Sequence, residues 1–373
     1  MMNAAVLDNK QAIQLLHQSP HAFVLAVTGG GSSAIAQLLA IPGASNTILQ
    51  CLVPYSAAAL ADFLGNTPQS ACSLNTARLM AMTAFESAKL LNPDKPSFGL
   101  GCTAAISTHR DRKGQDQCFV SIQSEQSTLL LELMLDKKHS RDYQERQCCA
   151  LILYGMLLST GLTNKRNWDG LVLNHFVAPR IWQDLLQGDA SSTLSLETRS
   201  LETRPRSIFP GAFNPPHSGH REIVRLAEEK LGHEVFYEIS ISNVDKAKID
   251  FIDMKQRQDS LEGANLIFTN APTFIDKSTL FPGSTFIVGV DTICRIADVI
   301  YYENSTKKRD DAIANFIKNN NRFLVFGRLI GENYLTLSKV QLPEPLLKIC
   351  DEITEDEFRE DYSSSDIRLE AAM

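Results

Sequence analysis

The chain has 373 residues, of which 44% are hydrophobic and 21% are charged. This composition is ordinary for a globular protein, and the length suggests about two or three domains, each large enough to bury a core. The formal charge of −7 is not offset by any long basic stripe. We therefore expect no broad binding to nucleic acid or to an anionic membrane surface.

The eight cysteines are scattered, with no C-x-x-C or Cys/His metal spacing. Free thiols in a chain of this size fit a reducing compartment. The apolar stretch at residues 22–41 is interrupted by three glycines and lacks a basic flank, so it is a poor signal peptide. No segment is long and apolar enough to span a bilayer. We expect a cytoplasmic protein with no membrane partner and no dedicated metal site.

The first 160 residues predict an α/β domain. Residues 22–27 are an expected buried strand, and a loop of glycines and hydroxyls at 28–33 leads into a helix that ends near Ala40. The other clear elements are helices at 73–91 and 141–158 and a strand at 117–123. Ser73 is the expected cap of the first of these helices. The loop at 28–33 could bind phosphate, but a tight turn without a ligand is its expected state.

The predicted boundary between domains lies in residues 161–205. The sequence S-L-E-T-R is repeated at 195–204 and a proline then breaks the chain, so this part is expected to be a polar linker. Trp182 and its apolar neighbours are expected to pack on a domain. The domains on either side are residues 1–160 and 206–373.

After the linker, short apolar runs alternate with helical patterns. Strands are predicted near residues 207–212, 234–241, 265–269, 285–290 and 322–326. Such alternation indicates a doubly wound parallel sheet of Rossmann-like type with helices on both faces. Ligands of these sheets lie beyond the carboxyl ends of the strands, where residues 213–220 and Asp291 are expected.

Residues 209–220, F-P-G-A-F-N-P-P-H-S-G-H, are the most informative stretch. The prolines hold an extended turn, and a helix can start near His217 and end at Gly232. His217 and His220 then share one face of the first turn, where free N–H groups and the helix dipole favour anions. Gly219 lets a phosphate approach the main chain. The stretch predicts a site that holds nucleotide phosphates while a bond at phosphorus is exchanged.

Residues 211–220 resemble the H-x-G-H signature of the nucleotidyltransferase superfamily, which includes the nicotinamide mononucleotide adenylyltransferases. Three further segments match in the expected order. Residues 268–274 resemble a segment of the nicotinamide branch, residues 286–292 the G-x-D turn, and residues 363–368 the S-S-T-x-I-R motif. Together the matches cover the predicted second domain.

This resemblance implies a role for each matched position. His217 and His220 would be catalytic and would stabilise the transferring phosphate. The implied nucleotide-binding residues are Gly211, Ala212, Phe213, Gly219, Lys246, Lys248, Gly289, Asp291, Ser364, Ser365 and Arg368. The G-x-D pair would hold the adenosine, and the last three residues would hold the departing pyrophosphate. The two lysines could equally be solvated residues of a loop.

The implied reaction joins ATP to a mononucleotide, with nicotinamide mononucleotide as the candidate acceptor, and releases pyrophosphate. Such a transfer requires positioning and neutralisation of charge rather than a protein nucleophile. Mg²⁺ would be carried on the phosphates of ATP, which explains why no carboxylate cage is needed. The partners are therefore ATP and a phosphorylated small molecule.

One departure concerns the acceptor. The nicotinamide branch stacks its pyridine ring on a tryptophan, but Trp168 and Trp182 both precede the matched domain. Phe251 or Tyr301 could substitute. Two alternatives stay open: a nucleotide-binding regulatory protein that hydrolyses ATP slowly or not at all, and a nucleotidyltransferase with another phosphorylated acceptor.

The first domain resembles the competence-damage-inducible family of nicotinamide-nucleotide amidases, over residues 12–158. The matching segments are the glycine loop, I-P-G-A-S at 41–45, Y-S at 55–56 and T-A-R-L-M-A at 76–81. The resemblance implies an α/β amidase-like domain, with Thr28 and Tyr55 as the surviving candidates for its site.

The departures from that family fall on its chemistry. Its A-E-S-C-T-G-G loop is A-V-T-G-G-G-S at residues 26–32, and the lysine after the tyrosine-serine pair is replaced by alanine. Its T-G-x-A-G-P loop has become G-C-T-A-A-I at 101–106. We expect an inactive domain that is retained for binding, stability or dimerisation, through which the chain could form a homo-oligomer.

Overall fold

The computed structural model describes residues 9–109, 113–164, 168–194, 204–242, 248–331 and 333–359. The chain divides into two compact units. The first comprises Met1–Gln183 and Asp245–Asp253, and the second comprises Asp184–Val244 and Met254–Met373. Predictions for Lys246, Ser364, Ser365, Arg368 and most of the S-L-E-T-R repeat lie outside the described residues.

The first unit is built on a six-stranded mixed sheet with the order β2-β1-β3-β4-β5-β6. Its strands are β1 (Ala22–Thr28), β2 (Ile48–Leu52), β3 (Ser97–Ala105), β4 (Asp116–Gln123), β5 (Ser127–Leu135) and β6 (Leu171–Val177). The first three pair in parallel and the last four in antiparallel fashion. All seven residues of β1 are buried, as its unbroken apolar run predicts.

In the part of the chain that the structure describes, seven helices precede residue 188. They are α1 (Asn9–Gln18), α2 (Ser33–Leu39), α3 (Ala44–Thr47), α4 (Ala57–Leu64), α5 (Leu74–Leu91), α6 (Arg141–Ser159) and α7 (Arg180–Gln187). The hydroxyl of Ser73 accepts the N–H of Thr76 at 3.1 Å, so the predicted cap of α5 is confirmed. Two parts of the predicted linker region are regular: β6 is an edge strand, and Trp182 of α7 is buried near Phe176.

A short segment from later in the chain completes the first unit. Arg78 on α5 forms a two-pronged ion pair with Asp250, with Nε–Oδ2 and Nη2–Oδ1 distances of 2.6 Å. Oδ1 of Asp250 also accepts the N–H of Asp253 at 2.8 Å, in the first turn of the helix that follows. Both side chains of the pair are largely buried. This planar, charge-assisted pair fixes residues 248–253 in the first unit.

The second unit is built on a six-stranded parallel sheet with the order β14-β11-β10-β7-β8-β9. Its strands are β7 (Ser207–Pro210), β8 (Val235–Ser240), β9 (Leu266–Thr269), β10 (Thr285–Gly289), β11 (Arg322–Phe326) and β14 (Cys350–Ile353). The chain runs outward from β7 to β9, returns to place β10 beside β7, and continues to the other edge. The predicted doubly wound α/β fold is confirmed, and β14 is the strand that the apolar pattern did not predict.

Among the described residues, six helices and one hairpin complete the second unit, and one of these helices, α9, begins in the first unit. The helices are α8 (Ser218–Leu231), α9 (Phe251–Ser260), α10 (Phe274–Leu280), α11 (Val290–Ala297), α12 (Thr306–Lys318) and α13 (Glu344–Leu347). The antiparallel hairpin consists of β12 (Arg328–Ile330) and β13 (Asn333–Leu335) and directly follows β11. Short 3-10 helices occur at Val299–Tyr302 and Leu337–Lys339.

A buried ion pair lies in the core of the second unit. Nζ of Lys277 on α10 lies 2.7 and 2.8 Å from the carboxylate oxygens of Glu238 on β8, and donates to the carbonyl of Ala271 at 2.8 Å. The hydroxyl of Thr269 donates to the same carboxylate. With both charges paired and hydrogen-bonded, the pair joins β8, β9 and α10 without an uncompensated buried charge.

Two expectations about the whole chain can be compared with the described residues. All eight cysteines are unbridged, as their spacing predicts. Within the described ranges, every helix is too short or too polar to cross a membrane.

Candidate active site

A cavity of about 240 Å³ lies at the carboxyl ends of β7, β10 and β11 in the second unit. Its lining residues are Phe209, Pro210, Gly211, Phe213, His217, Gly219, His220, Ile223, Val288, Gly289, Asp291, Thr292, Phe326, Gly327, Arg328 and Phe358. Strands β7 and β10 are neighbours from which the chain departs in opposite directions across the sheet. The cavity therefore lies at the topological switch point, where doubly wound sheets bind ligands.

The two histidines lie on the first turn of α8, as the sequence predicts. His217 is the extended residue that precedes the helix, and Gly232 ends it in the left-handed conformation, with φ of 73°. The imidazole rings of His217 and His220 lie 3.7 Å apart between centroids, at 35° to each other. The main-chain N–H of His217 donates to Nδ1 of His220 at 3.2 Å. The helix start therefore fixes both the position and the tautomer of His220.

His220 is a neutral imidazole over the physiological range. Burial, the neighbouring ring of His217 and the charge of Arg328 lower its pKa from 6.5 to about 3. Because Nδ1 accepts a hydrogen bond, the proton of the neutral ring is carried on Nε2. His220 is therefore a hydrogen-bond donor that brings no charge of its own to the cavity.

Phe213 holds the loop that leads into this helix. It has φ of 46°, the left-handed region that a bulky residue rarely adopts, and its side chain is buried. Its ring packs edge-on against His220 at 5.0 Å and against Tyr237 at 4.9 Å. A Cβ atom on Gly211 would lie 2.6 Å from this ring, so only glycine leaves room for it. The guanidinium of Arg257 donates to the carbonyl of Ala212 at 2.6 Å.

Gly289 and Asp291 provide a second wall of the cavity at the start of α11. Oδ2 of Asp291 accepts from Nη1 of Arg328 at 3.0 Å and from Nη2 of Arg295 at 3.4 Å. A Cβ atom on Gly289 would lie 2.5 Å from Oδ1 of Asp291. A larger residue would push this side chain aside, so the glycine leaves room for the carboxylate in its present position.

Residues 208–370 match the family model described as cytidylyltransferase-like. The match covers the histidine pair, the G-x-D turn and the strands that carry them. Over these residues the chain is similar to the cytidylyltransferase-like family, which supports a nucleotidyltransferase domain here. Comparison with curated proteins finds no match.

Among solved structures, the chain is similar to a competence/damage-inducible protein from Agrobacterium tumefaciens, at 18% identity and a TM-score of 0.36, over 43% of this chain and 99% of that one. It is also similar to a CinA superfamily protein from Escherichia coli, at 15% identity and a TM-score of 0.35, over 42% of this chain and 93% of that one. A competence or damage-inducible protein from Enterobacter asburiae matches at 14% identity and a TM-score of 0.33, over 40% of this chain and 98% of that one. This is the family that residues 12–158 resemble.

The nucleotidyltransferase domain gathers most of its predicted residues at one cavity. Those that line it are Gly211, Phe213, His217, Gly219, His220, Gly289 and Asp291. Ala212 contributes its carbonyl to the loop rather than a lining side chain. Lys248 belongs to the first unit and therefore does not line this cavity. It interacts there with Glu86: burial raises the pKa of Glu86, and the charge and the main-chain N–H of Lys248 reduce that rise. The catalytic and binding roles of these residues stay predictions.

Arg328 is the lining residue of most chemical interest that the sequence analysis missed. It follows β11, whose carboxyl end lies at the same edge of the sheet as the ends of β7 and β10. Gly327 and Arg328 stand directly after a buried strand, and this was the signal that could have drawn attention to them. The position of the guanidinium depends on the hairpin β12–β13, which the apolar pattern did not predict.

The aromatic residues proposed as substitutes for the tryptophan differ in exposure. Phe251 is fully buried, so it does not offer a ring for stacking. Tyr301 has 63% of its surface exposed. It lies in the 3-10 helix Val299–Tyr302, which follows the C-terminal end of α11, whereas Gly289 precedes the N-terminal end of that helix. Within the cavity itself, Phe209, Phe326 and Phe358 line the wall as aromatic side chains.

The first unit has its own cavity of about 240 Å³ around the glycine loop. Thr28, Tyr55, Arg141 and Glu145 are among its lining residues. Glu145 on α6 accepts the N–H of Gly31 at 2.6 Å and both the N–H and the hydroxyl of Ser33, at 3.0 and 2.9 Å. Burial raises the pKa of Glu145, but these hydrogen bonds outweigh it and the pKa is lowered. The chain thus places its own carboxylate on the loop.

Proposed function

We propose that the nucleotidyltransferase domain is an adenylyltransferase that joins ATP to a mononucleotide and releases pyrophosphate. Nicotinamide mononucleotide is the proposed acceptor, and NAD is then the product. The observation that supports this proposal is the pair of adjacent imidazoles at the start of α8, which line the same cavity as Asp291 at the switch point of a parallel sheet.

The chemistry needs little from the protein beyond placement. A phosphate oxygen of the acceptor attacks the α-phosphorus of ATP, the bond from that phosphorus to the bridging oxygen breaks, and pyrophosphate leaves with the electron pair. His217 and His220 would donate hydrogen bonds to the oxygens of the transferring phosphate. Because His220 is neutral and its ring is fixed by a main-chain hydrogen bond, it can act as a donor without reorganisation.

Asp291 would hold the ribose of the adenosine, next to the main chain at Gly289. Mg²⁺ on the ATP phosphates would neutralise part of their charge. The described residues fit a metal carried by the substrate, since Asp291, the carboxylate that lines the cavity, is already paired with two arginines.

For the first unit we propose a role in binding, stability or dimerisation rather than amide hydrolysis. The N–H groups of Gly31 and Ser33 in its glycine loop are bonded to Glu145. The loop also has no glutamate and no serine at the positions expected for the amidase family. We further propose that the whole chain acts in the cytoplasm, in keeping with its unbridged cysteines.

The direct test is pyrophosphate release from Mg-ATP by the full chain, with and without nicotinamide mononucleotide, with the products identified by mass spectrometry. We expect acceptor-dependent release and formation of the dinucleotide. Release that depends on another phosphorylated compound, such as phosphopantetheine, would assign a different acceptor. Tight binding of ATP with no acceptor-dependent turnover would contradict the proposal and favour a regulatory nucleotide-binding protein.

A further inference from the structure

The cavity of the nucleotidyltransferase domain has one permanent positive charge among its described lining residues. That charge is the guanidinium of Arg328. His220 is kept neutral by burial and by its neighbours. A reaction that gathers the triphosphate of ATP and a second phosphate at this place concentrates negative charge there. Neutral donors alone leave much of that charge uncompensated.

Asp291 holds Arg328 at the cavity without using its whole hydrogen-bonding capacity. The contact joins Nη1 of Arg328 to Oδ2 of Asp291 at 3.0 Å, and a guanidinium has five N–H donors. About half of the Arg328 side chain is exposed, so its other donors can reach a ligand. Arg295 contacts the same oxygen at 3.4 Å from one turn further along α11. The carboxylate therefore stays paired if Arg328 turns toward a phosphate.

The backbone before Arg328 is also fixed by its surroundings. A Cβ atom on Gly327 would lie 2.5 Å from the ring of Tyr334 in β13. The hydroxyl of Tyr334 donates to the carbonyl of Phe358, itself a lining residue, at 2.8 Å. Arg328 is the first residue of this hairpin, so Tyr334, from its second strand, packs against the residue that precedes the charge.

We propose that Arg328 is a phosphate-binding residue of this site, which contacts the pyrophosphate portion of the nucleotide and stabilises the negative charge that develops on it during transfer. The inference rests on the proposed function for its kinetic part only. Binding of a polyphosphate to Arg328 can be measured without any turnover.

Arg295 provides a matched control, since it pairs with the same oxygen of Asp291 but does not line the cavity. We expect R328A to lower kcat for pyrophosphate release by about 10²–10³-fold, the usual cost of removing one preorganised donor. R328K should recover part of this loss, because it restores the charge but not the planar fork. R295A should change kcat by less than about fivefold, as expected for an exposed ion pair.

The second measurement is calorimetric binding of inorganic pyrophosphate with Mg²⁺ to the full chain. R328A should weaken this binding by about 10- to 100-fold, and R295A should not. If the wild-type chain shows no acceptor-dependent turnover but only R328A loses pyrophosphate binding, the role of Arg328 stands and the proposed function fails. If R328A and R295A behave alike in both measurements, Arg328 acts only by positioning Asp291 and our inference is overturned.

Discussion

Each unit of this chain places a glycine-containing loop between a parallel strand and a helix, yet the two loops are used differently. In the first unit the loop after β1 donates its N–H groups to Glu145, a residue 114 positions away from Gly31. In the second unit the loop after β7 leads into a helix whose start carries two imidazoles, which line a cavity together with an arginine. A glycine loop is therefore not by itself a phosphate site, because the side chains that reach it from elsewhere decide what it binds.

The charges around the two loops strengthen this contrast. Glu145 keeps its negative charge on the first loop, since the hydrogen bonds that it accepts lower its pKa. His220 in the second loop is neutral, and Arg328 adds a positive charge beside it. Each cavity is lined by one carboxylate and one arginine, but in the first the carboxylate occupies the loop N–H groups that a phosphate would need.

The largest effect that we expect from breaking this contrast is at His220. His220→Ala removes a fixed donor from the cavity and should lower kcat for pyrophosphate release by about 10²–10³-fold. His233→Ala is the control, because that ring is bonded to Ser207 at the amino end of β7 and should leave activity unchanged. Thermal unfolding of both variants checks the fold. A folded His220→Ala variant with full activity would show that this site is wrongly assigned.

A smaller effect is expected at the G-x-D turn. In Gly289→Ala the new methyl group would lie 2.5 Å from Oδ1 of Asp291 and displace the carboxylate. We expect the affinity for ATP to fall by about 10- to 100-fold, the range of a lost hydrogen bond to a charged group. Gly114→Ala, where the new methyl group would meet nothing within 4 Å, is the control. Equal ATP affinities for the two variants, measured by calorimetry, would argue against a nucleotide contact at Asp291.

The glycine loop of the first unit should respond in stability and not in transfer. Glu145→Ala leaves the N–H groups of Gly31 and Ser33 without their carboxylate, and we expect a loss of about 1–3 kcal/mol in the free energy of unfolding. The control is Asp142→Ala, which removes an exposed carboxylate from the same helix and should lower the free energy of unfolding by only about 0.2–1 kcal/mol. Denaturant titration of both variants measures the difference. Loss of adenylyl transfer in a folded Glu145→Ala variant would contradict the separation of the two loops.

The smallest effect is a change in pH dependence. The pKa of His220 is about 3 in the folded chain and 6.5 for the free group, so the unfolded chain binds more protons between these values. The stabilising contribution of neutral His220 is therefore complete above pH 6.5 and is lost as the pH falls toward 3. His220→Asn should flatten the dependence of unfolding free energy on pH in this window. Histidine NMR should show one ring that remains neutral at pH 5, and a normal titration of His220 would refute the assignment.

The architecture of the second unit could be read from the sequence because its determinants are local. Each buried strand of a parallel sheet is a short apolar run, and the turn at Gly211 and the helix end at Gly232 are set by neighbouring residues. β14 was not predicted because two of its four residues, C-D-E-I, are acidic and the segment gains its strand conformation by pairing with β11. Local pattern therefore defines this sheet from β9 to β11 and misses only its edge at β14.

The charges of the site could be predicted only in part. The histidine pair and Asp291 are visible as motifs, but the approach of Arg328 depends on a hairpin and on a contact with residue 291 across 37 positions. Glu145 reaches its loop across a still longer separation, which no local pattern encodes. The pKa of His220 likewise follows from burial and from neighbours that only the fold assembles.

The claim that the cavity beside His217 and His220, rather than the loop of the first unit, holds the phosphates can be tested directly. Hydrogen exchange of the full chain, measured by mass spectrometry with and without Mg²⁺ and a non-hydrolysable ATP analogue, reports on both loops in one experiment. We predict slower exchange in peptides that cover residues 211–223 and 289–295, and unchanged exchange at residues 28–33. Protection at residues 28–33 with none at the histidine pair would contradict the account.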